Sequence, residues 1–298
     1  MMRHLLFPLF LLCLAGCNSS TDKVTADKTD HTHLLDSATT TAVETSDTTV
    51  SPTEEELRHF AVDTTGLTPE PQAPVKILIE GRFHKQEVWQ GAESKQWMGL
   101  VYQDSTFQLR PTHIRVLPFF DPVLDKRNAR VMSGREVKDA ASDNALLFIT
   151  GMAKLKPGPV DTASFSNAVV LPNTSLHLKF KGSTYTLEAI GDSIQDESSE
   201  SYSLQNYSWK ISGVKNGKKM SQELAHAQDF ESAIYVLLWA GDLDRDGIPD
   251  LLADLSNHYN ASEITLFLSS QADKGKLYKK VATFKSEAYP SQPATERL

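Results

Sequence analysis

Residues 241–254 read Gly-Asp-Leu-Asp-Arg-Asp-Gly-Ile-Pro-Asp-Leu-Leu-Ala-Asp. Asp242, Asp244, Asp246 and Asp250 stand at positions 1, 3, 5 and 9 of a loop, with Gly247 at position 6 and Ile248 at position 7. The ion that asks for such spacing is Ca²⁺, which takes about six to eight oxygens at roughly 2.3–2.6 Å. Alternate residues of a tight loop aim three carboxylates at one centre. A glycine then permits the sharp turn that brings in the Ile248 carbonyl and a last carboxylate, Asp250. Without a cation these carboxylates repel one another. Arg245, at position 4, is expected to point outward and relieve little of that repulsion. The competing reading of the same residues is an acidic surface turn.

The loop departs from an EF-hand. Ala253 stands where a bidentate Glu would close the site, and strands rather than helices flank it. A strand, then Gly-Asp-x-Asp-x-Asp-Gly-x-x-Asp, then the apolar pair Leu251 and Leu252, resembles the calcium loop of FG-GAP and VCBS-type repeats. The resemblance covers residues 234–268. It implies Asp242, Asp244, Asp246, the Ile248 carbonyl and Asp250 as ligands. Calcium outside the cytosol is usually abundant and steady, so a structural role is expected for the ion. The Phe-Gly and Gly-Ala-Pro elements that name the repeat are absent, and one copy is present where a propeller needs several blades. The loop is therefore carried over and the propeller is not.

The elements that must position this loop read as strands. Short apolar runs at 75–79, 97–102, 113–117 and 145–150 are separated by stretches rich in Gly, Pro, Asp and Asn. Leu176, Leu178 and Phe180 alternate with His177, Lys179 and Lys181, so one face is buried and the other wet. Gly182-Ser183 is the expected turn of a first hairpin, and Asn216-Gly217 that of a second. The run 234–239 is apolar without alternation, as in a central strand covered on both faces. Segments 264–268 and 277–284 read as two further strands, and a turn or two of helix is expected near 223–230. The fold class is all-β or β-rich, with antiparallel strands and hairpins packed like a sandwich. The expected division is an N-terminal β region over 74–160 and a C-terminal one over 161–298, parted by Pro157-Gly158-Pro159.

The first residues carry a different signal. Arg3 precedes an apolar run over 5–14 of about 10 residues, too short for a membrane span and suited to a secretory signal. Leu14, Ala15, Gly16 and Cys17 follow, a stretch that resembles the lipobox of bacterial lipoproteins. The resemblance implies diacylglycerol on the Cys17 sulfur, cleavage after Gly16 and acylation of the new amino group. Two or more acyl chains anchor stably, whereas one does not. Asn18 after the cysteine favours the outer membrane by the same resemblance. Of the two cysteines, Cys13 and Cys17, the first lies in the segment to be removed, so no disulfide remains to stabilise the exported chain.

Residues 17–73 are dense in Thr, Ser and Asp and read as a disordered tether with a reach of roughly 40 Å. One short helix is expected over 52–60, and Pro69, Pro71 and Pro74 mark the domain edge. His31 and His33 within the tether read as solvated side chains. The formal charge of −8, from 38 acidic and 30 basic residues, argues against a nucleic-acid partner.

No Gly-x-Ser-x-Gly, His-Glu-x-x-His or phosphate-binding glycine loop is present. The Gly and Lys of 213–218 belong to the Asn216-Gly217 turn. His258 reads as a solvated loop residue rather than a partner of Asp254. Trp97, Tyr102, Trp209 and Trp239 read as strand-core aromatics more than as a ligand surface. The expected function is a membrane-anchored envelope lipoprotein with a calcium-stabilised β module that binds a protein or glycan. An exported hydrolase with dispersed catalytic residues and a purely structural envelope component are the alternatives.

Overall fold

The computed structural model describes residues 61–62, 66–126, 131–141, 145–195 and 202–287. Cys17, the histidines at 31 and 33, the helix expected over 52–60 and most of the tether lie outside the described residues. Those described fall in one compact unit, Ser51–Leu298. The chain is strand-rich and its sheets are antiparallel, apart from one short parallel pair.

The first ten strands are β1 (Ala61–Val62), β2 (Lys76–Leu78), β3 (Gly81–Phe83), β4 (Trp97–Gln103), β5 (Thr106–Thr112), β6 (Ile114–Phe119), β7 (Val131–Met132), β8 (Gly134–Asp139), β9 (Ala145–Thr150) and β10 (Gly158–Pro159). They form a sheet in the order β10-β5-β4-β9-β2, a smaller sheet β3-β8-β6, and the parallel pair β1-β7. Two sequential meanders follow. The first is β11 (Ser175–Phe180), β12 (Ser183–Gln195), β13 (Tyr202–Lys215) and β14 (Lys218–Asp229). The second is β15 (Val236–Gly241), β16 (Asp250–Asp254), β17 (Ala261–Leu268) and β18 (Lys279–Glu287).

The last meander is the central layer. Trp239, Leu252, Ile264, Leu266, Leu268, Ala282 and Phe284 join one hydrophobic cluster with Leu100, Phe148 and Ile149 of the first sheet. Leu237, Ala240, Leu251, Ala253 and Phe267 join a second cluster with Leu178, Leu187 and Trp209 of the β11–β14 sheet. Alternate residues of β16 thus serve opposite cores, which is why its sequence is apolar without alternation. The first cluster draws on both sides of residue 160, so that boundary separates sheets but does not separate cores.

Three expectations need correction. The 223–230 stretch is not helical: residues 223–229 belong to β14, paired with β13 from Gln205↔Asp229 to Lys215↔Lys218. Cross-strand pairing outweighs the weak helical period there. The first hairpin turns at Lys181-Gly182, one residue earlier than expected, because Phe180 pairs with Ser183. Both turn residues have positive φ, 45° and 79°, as do Asn216 and Gly217 at 52° and 72°, the signature of type I′ hairpins. Residues 68–70, expected to belong to the tether, are fastened to the β region. The Thr68 hydroxyl donates to the Gln86 carbonyl at 2.5 Å, and Glu70 pairs with Lys76 at 3.0 Å and Lys95 at 2.6 Å.

Tyr207 shows how completely the second core excludes water. Its hydroxyl donates to the Val170 carbonyl and accepts from Trp209 Nε1 at 2.9 Å, and burial pushes it up to about 12. An unfolded tyrosine ionises near about 10. Between those values the unfolded chain sheds a proton that the native state keeps, so stability should fall as pH rises through that window. Melting curves at stepped alkaline pH, for wild type and Tyr207→Phe, would show it. A decline of the same slope in both proteins would remove Tyr207 as the cause.

Candidate metal centre

The acidic loop joins β15 to β16 and is closed by the pair Gly241↔Asp250. Gly247 has φ 88° with open space where a Cβ would stand. Conformation, not crowding, is what asks for glycine there. Arg245 also has positive φ, 63°. Its guanidinium turns away from the carboxylates and donates to the Pro157 carbonyl at 2.9 Å.

Asp242, Asp244 and Asp250 converge, each offering an oxygen within 4.8 Å of the others. Asp242 and Asp250 are buried, at 3% and 0% exposure, and held by backbone donors. Asp242 Oδ1 accepts from the Asp246 amide at 2.9 Å and Oδ2 from the Gly247 amide at 3.0 Å. Asp250 Oδ2 accepts from Leu243 at 3.0 Å, and Oδ1 accepts from Ser269 at 2.9 Å. These bonds fix both ends of the loop before any ion arrives. Asp244 differs: Oδ2 accepts from the Ser270 hydroxyl, while Oδ1 is buried with no hydrogen-bond donor among the described residues.

Asp246 is not part of the converging trio. Its Oδ1 accepts from the Ile248 amide at 2.9 Å and its Oδ2 from the Ser269 hydroxyl at 2.5 Å. Its charge still reaches the trio. Burial first, then the charges of Asp246 and Asp242, raise the Asp244 carboxyl above its usual range. Asp250 is pushed well above that range by burial, then by the charge of Asp244. The Ile248 side chain packs against the second core.

The trio also has neighbours that sequence spacing did not indicate. Ser269 and Ser270 follow β17 and cap three of the four loop aspartates. Tyr278, on the approach to β18, donates to the Pro249 carbonyl at 2.9 Å and props the far side of the loop. Lys181, at the tip of the β11–β12 hairpin, lies 3.4 Å from Asp242 Oδ2 and 2.7 Å from Asp161 Oδ2. Asp161 arrives because the 161–164 segment runs along β15: the Asp242 amide donates to the Asp161 carbonyl at 2.9 Å. No local pattern links these residues, since the pairings that gather them span 19 to 81 residues.

The other candidate side chains lie elsewhere. His177 is exposed on β11, beside the Thr186 hydroxyl at 3.2 Å. His258 pairs with Glu231 at 2.5 Å and not with Asp254. Asp254 instead accepts from the Ser256 and Glu263 amides at 3.0 and 2.8 Å. Trp97, Trp209 and Trp239 are buried in the cores, whereas Tyr102 is exposed.

No helix among the described residues is long and apolar enough to cross a membrane. No family model, curated protein or solved structure matches the chain.

Proposed function

We propose that the chain is an envelope lipoprotein, anchored through lipid on Cys17, whose β module is stabilised by calcium at the 242–250 loop and binds another macromolecule or a glycan. The observation that carries the calcium assignment is Asp244 Oδ1, a buried carboxylate oxygen without a donor among the described residues, in a group of three converging carboxylates. A buried polar atom without a partner is costly, and like charges at such spacing raise one another's energy. A divalent cation relieves both at once. Oxygen-only donors favour a hard ion, and an adaptable loop with waters completing the shell suits Ca²⁺ better than the compact octahedron of Mg²⁺. Asp242, Asp244 and Asp250 would hold the ion directly, with the Ile248 carbonyl. Asp246 would join by exchanging its Ser269 hydroxyl contact for the ion. The interaction role rests on the sequence reading: an anchored, exported module without a catalytic signature.

Melting curves in chelator and in millimolar calcium test the calcium assignment. For a dissociation constant near 10⁻⁴–10⁻³ M, ion binding contributes about 0.4–1.4 kcal/mol, a rise of about 1–5 °C for a domain of this size. Asp244→Ala should erase the difference between the buffers. Arg245→Ala should keep it, since that guanidinium faces the Pro157 carbonyl. Coincident wild-type curves would reduce the loop to an acidic turn.

A further inference from the structure

The electrostatics of the loop include a cation already built into the chain. Lys181 occupies the first position of a type I′ turn at φ 45°, a conformation that Asn, Asp and Gly adopt far more readily than lysine. Its half-exposed ammonium has three neighbours. Asp161 Oδ2 lies at 2.7 Å, Asp242 Oδ2 at 3.4 Å, and the Phe180 ring centroid at 4.9 Å. The groove at this point is lined by Pro159, Asp161, Lys181, Asp242, Arg245 and Gly247. Asp242 is thus shared between the converging trio on one side and the Lys181 ammonium on the other.

We propose that Lys181 is a tethered competitor for the cation, an affinity-setting residue that keeps calcium binding weak, while Asp161 draws its ammonium partly off Asp242; this rests on the calcium assignment above. A divalent ion at the trio and an ammonium on the same Asp242 carboxylate repel each other within a Debye length, so each weakens the other's hold. Asp161 holds the ammonium at 2.7 Å against 3.4 Å for Asp242, which biases Lys181 toward the rim and loosens its hold on the Asp242 charge. Removing the lysine therefore tightens calcium binding. Removing the Asp161 charge lets the ammonium close on Asp242 and weakens binding. An ordinary surface ion pair at this exposure would shift stability slightly and would not move calcium affinity in opposite directions from its two ends.

The test is a calorimetric titration of the full chain with calcium chloride, for wild type, Lys181→Met, Lys181→Arg and Asp161→Asn. Lys181→Met is expected to bind about three- to tenfold tighter than wild type, the effect of one partly screened unit charge on a divalent ion. Lys181→Arg, which keeps the charge, should stay within about twofold of wild type, and Asp161→Asn should bind about twofold or more weaker. Wild-type binding with Lys181→Met unchanged or weaker would overturn the competitor role and leave the calcium assignment standing. Binding by Lys181→Met alone would mean that the lysine blocks the site outright and would support the proposal. No binding by either protein would overturn both. Circular dichroism of each variant guards against misfolding, and Lys181→Gln serves if the methionine variant aggregates.

Discussion

Trp209→Ala is expected to lower the unfolding free energy by about 3–5 kcal/mol, as truncation of a large core aromatic does. Trp209 is 1% exposed on β13, where its ring meets Tyr235 edge-on at 5.6 Å. Its Nε1 donates to the Tyr207 hydroxyl at 2.9 Å, the bond that orients that hydroxyl toward the Val170 carbonyl. The truncation opens a cavity and removes one partner of a buried polar pair, so both costs fall on the core between the β11–β14 sheet and the central layer. Urea unfolding should show a lower midpoint with an unchanged slope. A loss below about 1 kcal/mol would mean that this sheet is not cemented to the central layer by the cluster described.

The second large effect is expected at Asp250. Asp250→Ala strands two buried amides, Leu243 and Ser269, that now donate to its oxygens at 3.0 and 2.9 Å. Each unsatisfied buried group costs about 1–3 kcal/mol, so a gross loss of about 2–6 kcal/mol is expected. The ion-free loop returns part of that, because burial and the Asp244 charge already disfavour the ionised form of Asp250. The loss should therefore be larger when measured in calcium than in chelator. Asp250→Asn keeps one acceptor, so it should fold better than the alanine variant and still fail to respond to calcium. Equal losses in both buffers would show that Asp250 serves only as a backbone cap.

The strands and the loop were legible in the sequence for a physical reason. Alternation at Leu176, Leu178 and Phe180 marks a sheet with one wet face, and β11 has that pattern. The unbroken apolar run before the loop marks a strand buried on both faces, and β15 feeds both cores, although it lies at the edge of its sheet and not at its centre as expected. Gly247 and Asn216-Gly217 signal positive φ, and all three have it. The 223–230 stretch misled because a half-buried edge strand that alternates imperfectly around a bulge mimics a weak helical period. What the sequence hid was long-range. Ser269, Ser270, Lys181 and Asp161 reach the loop through sheet pairing and hairpin docking. Residues that meet only in three dimensions leave no spacing to read.

The count of bound calcium ions is the most direct test of the central claim. Equilibrium dialysis of the full chain against millimolar calcium, with metal analysis of the protein, should find about 0.5–0.9 ion per chain in wild type, rising toward one as calcium is increased, and none above background in Asp244→Ala. Background calcium in both proteins would contradict the account and leave Asp244 Oδ1 as a buried oxygen with some other partner.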